Sequence, residues 1–192
     1  MLFIGDVHGK INEYFNIIKK LDKTIQLGDF GVGFVKIPKI PKQHRFIRGN
    51  HDNPEECKKF TNYLGNYGYL KKEEIFFISG AFSIDKSLRT EGVDWWRDEE
   101  LSYAELNEMT DLYYKIHPQI VVSHEAPKIV INKIWGHNYY NNPTVQALNV
   151  LFEYNQPKIW VFGHHHKSFR EKIGKTFFIG LDELEIYNME EK

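Results

Sequence analysis

Five short apolar runs in this sequence each end in residues able to hold a metal ion. Met1-Leu2-Phe3-Ile4 runs into Gly5-Asp6-Val7-His8-Gly9, and Thr24-Ile25-Gln26-Leu27 into Gly28-Asp29. His44 to Arg48 runs into Gly49-Asn50-His51-Asp52, Gln119 to Val122 into Ser123-His124-Glu125, and Lys158 to Phe162 into Gly163-His164-His165-His166. Asp6 and His8 lie two apart. In extended backbone both side chains leave the same side, so a carboxylate oxygen and an imidazole nitrogen can reach one ion. Gly5 and Gly9 allow a sharp turn and are expected to keep the floor of such a site free of bulk. Pooled, the five ends offer Asp6, His8, Asp29, Asn50, His124, His164 and His166. Seven oxygen and nitrogen ligands exceed one ordinary transition-metal site and suit two divalent ions sharing a carboxylate.

Taken singly, each block has a plainer reading. A Gly-Asp pair is most often a turn, and Gly-Asn-His-Asp a turn plus a helix cap. A histidine at a strand end is more often a hydrogen-bond partner than a ligand. The triple histidine is internal and follows an apolar strand, unlike an affinity tag. The five blocks together, in this order, carry the metal reading.

The elements that must position them follow from periodicity. Ile11, Phe15, Ile18 and Leu21 predict a helix over Ile11 to Leu21. Asn53 as cap, Pro54 in the first turn and Glu55-Glu56 behind it predict a short helix. Ser102-Tyr103-Ala104-Glu105 is a capping box, and Leu106, Met109, Leu112, Tyr113 and Ile116 continue it as a helix to Pro118. Asn142-Pro143 opens another helix through about Asn155. Strands are expected at the five apolar runs, at Tyr69-Leu70, over Ile75 to Ser79, within Gly80 to Arg89, and as two or three hairpin-like strands from Ser168 to Tyr187. Phe30 to Pro41 reads as loop. Strand and helix alternate over the first two-thirds and strands fill the rest, which predicts an α/β sandwich with one mixed sheet or two.

Bulk properties exclude several function classes. Hydrophobic content of 42% with 27% charged residues is that of a soluble globular protein, and 192 residues predict one domain, 1–192. A net charge of −1 gives no footprint for nucleic acid or anionic membrane. Cys57 is the single cysteine, so neither an intrachain disulfide nor a thiolate zinc cage is expected, which fits a reducing compartment. No basic stretch followed by a long apolar region opens the sequence, and no apolar run reaches membrane-spanning length. The expectation is a cytoplasmic protein without membrane association.

The ordered series resembles the calcineurin-like metallophosphoesterase superfamily, whose pattern is Asp-x-His, Gly-Asp, Gly-Asn-His-(Asp or Glu), His, and Gly-His-x-His. All five blocks are present, spanning residues 5 to 166. The resemblance implies an α/β fold, a double β-sandwich of two mixed sheets flanked by helices. It implies Asp6, His8 and His166 as ligands of one metal, Asn50, His124 and His164 as ligands of a second, and Asp29 as the bridge. His51 would contact the phosphate with Asn50 and protonate the leaving group, and Asp52 would orient His51. The implied activity is hydrolysis of phosphomonoesters or phosphodiesters by a hydroxide held between two ions. Manganese is the foremost cofactor, with iron, zinc, nickel or magnesium as alternatives. The expected partner is a phosphoester, with nucleic acid only as a substrate; a binding scaffold on the same fold is the alternative. Phe30-Gly31-Val32-Gly33-Phe34 replaces the second Asp and the Arg of protein serine/threonine phosphatases, which argues against that substrate class.

Four softer features complete the reading. Lys36, Lys39, Lys42, Arg45 and Arg48 form a basic stretch, expected to be a solvated face except for Arg48, which is expected to bind substrate phosphate. Trp95-Trp96 is either a substrate-facing lid or a core residue beside a cover. His137, Tyr139 and Tyr140 are expected in a plain surface loop, with pocket lining as the alternative, and His44 and His117 in structural places. His165 is given no role.

Overall fold

The computed structural model describes residues 1–136 and 142–190. In chain order its elements are β1 (Leu2–Ile4), α1 (Ile11–Ile18), β2 (Thr24–Gln26), β3 (His44–Phe46), α2 (Pro54–Cys57), β4 (Tyr67–Leu70), β5 (Ile75–Ile78) and α3 (Tyr103–Ile116). They continue with β6 (Ile120–Ser123), α4 (Lys128–Trp135), α5 (Pro143–Tyr154), β7 (Ile159–Phe162), β8 (Phe169–Ile173), β9 (Thr176–Gly180) and β10 (Ile186–Asn188).

Two mixed sheets result. The first has the order β10-β1-β2-β3, with β1, β2 and β3 parallel and β10 antiparallel to β1. The second has the order β4-β5-β6-β7-β9-β8, parallel from β5 to β9 with antiparallel strands at both edges. Side chains alternate across each strand, and the two faces separate cleanly. Phe3, Ile25, Ile75, Phe77, Val122, Val161 and Ile179 fill the space between the sheets. Phe76, Ile78, Val121, Trp160 and Phe178 face the other way and pack under α3, α4 and α5 with Met109, Tyr113, Val130, Leu148 and Leu151. On the outer face of the first sheet Ile4 and Phe46 pack with Tyr14 and Ile18 of α1 and with Phe30 and Val32. The layering is helix, sheet, sheet, helix.

Register sets the site. Ile4, Gln26 and Phe46 are level across the first sheet, and Ile78, Ser123 and Phe162 across the second. The C-terminal ends of these parallel strands therefore open on one side, where α/β folds gather their sites.

Local signals are obeyed where side-chain chemistry is explicit. Asn53 accepts from Glu55 N and Glu56 N, Ser102 and Glu105 close a reciprocal capping box, and Asn142 accepts from Val145 N. His117 caps α3 with left-handed backbone, and His44 is buried against Thr24 Oγ1 at 3.0 Å. One expectation needs correction: Gly80 to Arg89 holds no strand; it is loop with a short 3-10 turn at Lys86–Leu88. The helix α4 is additional to those expected. The tail holds three strands as expected, of which β8 and β9 form a hairpin, while β10 leaves β9 and closes the edge of the first sheet beside β1. His137, Tyr139 and Tyr140 lie outside the described residues. Among the described residues no helix is long and apolar enough to cross a membrane.

Candidate metal centre

The turns after β1, β2, β3, β6 and β7 bring the expected ligands together in two groups. One comprises Asp6, His8, Asp29 and His166, the other Asp29, His124 and His164, and within each group the donor atoms lie within 4.8 Å of one another. Asn50 adjoins the second group through His124. In the first, His8 Nε2 lies 2.8 Å from His166 Nε2, 3.6 Å from Asp6 Oδ2 and 3.8 Å from Asp29 Oδ2; His166 Nε2 lies 3.1 Å from Asp6 Oδ2. In the second, His124 Nε2 lies 3.5 Å from Asp29 Oδ1 and 3.1 Å from Asn50 Oδ1. Two atoms each about 2.1 Å from a common ion can be at most about 4.2 Å apart, so these separations fit shared ions. Asp29 turns one oxygen to each group.

The backbone is bent to achieve this. His8, Asp29, His164 and His166 all have positive φ, between 46° and 66°. For non-glycine residues such backbone costs of order 1 kcal/mol each and persists where surrounding contacts enforce it, which is typical of functional sites. Close approach is cleared by Gly49 and Gly163, not by Gly5 and Gly9 as expected. A Cβ on Gly49 would fall 2.0 Å from Asp29 Oδ1, and one on Gly163 2.3 Å from Asp6 Oδ1. At Gly5 it would meet the Asp182 carbonyl and at Gly9 the Val35 side chain.

Further contacts orient His124, Asn50 and His164 among the candidate ligands. His124 Nδ1 donates to Leu27 O at 2.7 Å, which leaves Nε2 to face Asp29 and Asn50. Asn50 Nδ2 donates to Ser83 Oγ at 2.9 Å, so its carbonyl oxygen is the end that faces the centre. Ser83 is held by Glu99, its N–H on Oε1 at 2.9 Å and its hydroxyl on Oε2 at 2.5 Å. Glu125 is fully buried; Oε1 accepts from His165 Nε2 at 2.8 Å, and Oε2 lies 3.5 Å from His164 Nε2. Trp135 Nε1 donates to His165 Nδ1 at 3.1 Å, which fixes the His165 proton on Nε2. Sequence reasoning gives Glu125, His165, Ser83 and Glu99 no part here. The acid one residue after His124 is the only local hint.

Charge balance is consistent with cations at this place. Burial opposes the charge on Asp6, yet His124, His166 and His8 outweigh it and hold its carboxyl down at about 2. Asp29, also buried, is held below the usual carboxylate range, chiefly by His124. Burial disfavours a charged His124, but Asp29 and Asp6 pull it up to about 10. The same carboxylates that favour a charged imidazole here would favour a cation held between them.

Two expected roles are not supported by position. The Arg48 guanidinium is buried and turned from the centre, with Nε on Asn66 Oδ1 at 3.2 Å and Nη1 on Glu99 O at 2.5 Å. It lines a different cavity, with Pro54, Asn66 and Glu105. Asp52 does not orient the His51 ring. Its carboxylate accepts four main-chain N–H groups, from Phe30, Gly31, Val32 and Gly49 at 2.8–3.0 Å, and so ties the turn after β2 to the turn after β3. His51 itself is at the centre: its N–H donates to Asp29 Oδ1 at 2.8 Å, and its Nε2 lies 4.0 Å from Asp29 Oδ2. Its ring meets Arg89 instead, with Nη1 2.7 Å from Nδ1. Trp96 is buried beneath it and reaches the His51 carbonyl at 3.4 Å. Lys36, Lys39 and Lys42 are exposed, and Arg45 pairs with Glu73.

A cleft of about 390 Å³ opens over this centre between Ile84, Asp85 and Trp135, and one of about 160 Å³ adjoins it at His8, Phe34, Val35, His51 and Arg89.

A solved structure, TT1561 of Thermus thermophilus, superposes with a TM-score of 0.50 at 13% sequence identity, covering 95% of this chain and 89% of that one. At that identity the likeness speaks for the fold alone, and the fold agrees with the sandwich described above. No curated protein gives a significant match. Residues 1–168, which carry all five strand-end blocks, match the family described as calcineurin-like phosphoesterase. The chain belongs to the calcineurin-like phosphoesterase family.

Proposed function

We propose that this chain hydrolyses phosphate esters with a pair of divalent metal ions. Asp6, His8 and His166 hold one, Asn50, His124 and His164 hold the other, and Asp29 is shared. The observation that carries this is the division of Asp29, with Oδ2 toward His8 and Oδ1 toward His124. The all-oxygen-and-nitrogen donor set suits manganese foremost, with iron, zinc, nickel or magnesium as alternatives. Such ions, when bound, lower the pKa of water and offset charge developing on a phosphoryl group.

The chain's own residues do the rest. His51 stands at the mouth, contacts the phosphate and delivers a proton to the departing oxygen, while Asn50, buried and held by Ser83, serves through its carbonyl oxygen as a metal ligand. Its ring is 26% exposed and stands in both clefts, so a leaving group can reach it. Burial, first, and the positive Arg89 hold His51 below its ordinary pKa, against the pull of Asp29. A ring so held is largely neutral near pH 7, so its role as acid requires the negative charge of a bound phosphate to favour the protonated form. The test is hydrolysis of p-nitrophenyl phosphate and bis(p-nitrophenyl) phosphate by metal-stripped protein refilled with manganese, with Asp29→Ala as blank. Turnover by the wild type alone supports the proposal. No turnover of either ester or of a panel of natural phosphoesters, with two ions bound, would contradict it.

A further inference from the structure

The segment between β5 and α3 carries an arginine to the centre that no strand-end block contains. Arg89 Nε and Nη2 donate to the two Asp85 oxygens at 2.8 and 2.7 Å, and Nη1 donates to the Asp94 carbonyl at 3.1 Å. So braced, the guanidinium lies on the His51 ring, with Nη1 2.7 Å from Nδ1 and Nη2 3.3 Å from Nε2. His51 Nε2 is in turn 4.0 Å from Asp29 Oδ2. Two short steps therefore separate a fixed cation from the shared carboxylate. The Arg89 side chain is 19% exposed and lines the smaller cleft with His8, Phe34 and Val35, so a solute entering there meets it.

We infer that Arg89, braced by Asp85, anchors the substrate phosphoryl group and makes the site favour phosphomonoesters over diesters; the inference rests on the phosphoesterase reading above. An Arg N–H on an anionic phosphate oxygen forms a charge-assisted bond about twice as strong as a neutral one, so an incoming phosphate takes Nη1 from the His51 nitrogen. Asp85 offsets part of the charge, but it engages only Nε and Nη2 and is 44% exposed to screening water, which leaves Nη1 as the arm a phosphate can take. The ester selectivity follows from oxygen count. A monoester has three non-bridging oxygens and a diester two. A phosphate seated over the centre would turn two oxygens to the ligand groups and the third across His51 to Arg89, an oxygen that only a monoester has. Two other arginines do not compete for this role: Arg48 faces another cavity, and Arg97 is 81% exposed and paired with Glu91.

The experiment uses the full chain refilled with manganese and the variants Arg89→Gln, Arg89→Lys and Asp85→Asn. Binding of inorganic phosphate is measured by calorimetry, metal content by elemental analysis, and KM and kcat on p-nitrophenyl phosphate and bis(p-nitrophenyl) phosphate. Arg89→Gln is expected to keep its metal, weaken phosphate binding and raise the monoester KM by about tenfold or more, with diester KM moving less than about threefold. Arg89→Lys should recover part of the loss, and Asp85→Asn should fall between Arg89→Gln and wild type. An active wild type beside an Arg89→Gln protein with unaltered phosphate affinity and KM overturns this inference alone. So does metal loss in Arg89→Gln, an equal loss on both esters, or an effect confined to kcat. A metal-loaded wild type with neither phosphate affinity nor turnover overturns the phosphoesterase reading as well.

Discussion

Gly49→Ala adds one methyl group at the point where the two ligand groups meet. The new Cβ would stand 2.0 Å from Asp29 Oδ1, 2.4 Å from Asp29 N and 2.6 Å from His124 Nε2. Carbon and a heavy atom rest at about 3.5 Å, so the carboxylate, the ring and the Asp29 main chain must each give way by about 1 Å. Gly49 does not have left-handed backbone, so alanine brings no conformational penalty of its own and the effect is steric. Overpacking of this kind costs about 1–3 kcal/mol of stability, which leaves a folded protein. A displacement of about 1 Å at reacting groups costs about a hundredfold in rate. The assay pairs a thermal melt with elemental analysis and kcat/KM on p-nitrophenyl phosphate. The expected protein melts cooperatively at a lower temperature, loses metal and falls about a hundredfold in kcat/KM. A Gly49→Ala protein with the wild-type metal complement and kcat/KM within about threefold would refute the close approach on which the shared-carboxylate geometry depends.

Three further outcomes can be checked with the same assays. His51→Ala should retain both ions and lose about 10²–10⁴ in kcat, most with poor leaving groups; an unaltered rate with an alkyl phosphate would remove it from proton transfer. Glu125→Gln should weaken metal affinity by about 10–100-fold, because it loosens His164 through the carboxylate that steadies it; a competition titration with unchanged affinity would make Glu125 a packing residue. Asp52→Ala should cost more than about 3 kcal/mol of stability, since it strips the acceptor from four buried N–H groups; a variant that melts like wild type but fails to turn over would restore Asp52 to the chemistry.

Much of the centre is legible in the sequence because it is built from local pieces. A short apolar strand followed by its ligand is a contiguous pattern, and five repeats of it point to one face of an α/β fold. The helix caps at Asn53, Ser102 and Asn142 are equally local, each a side chain read a few residues ahead. What escapes depends on tertiary placement. Lys128–Trp135 is rich in isoleucine and valine, and Pro127 at its cap makes no side-chain bond, so nothing in the sequence marks α4. Asp52 beside His51 suggests a pair, but the turn aims its oxygens at the backbone of Phe30, Gly31 and Val32. Arg48 precedes a ligand by two residues, yet it enters another cavity, while Arg89, 38 residues beyond His51, reaches the ring. The pairing of Glu125 with His165 needs the turns after β6 and β7 side by side, which only the parallel register supplies.

The central claim is that one carboxylate, Asp29, joins two metal-holding groups. Metal stoichiometry of wild type and Asp29→Ala after refilling and dialysis tests it most directly. Two ions per wild-type chain, and loss of metal from the variant together with its activity, is the result this geometry predicts. An Asp29→Ala protein that still holds two ions as tightly as wild type would contradict it.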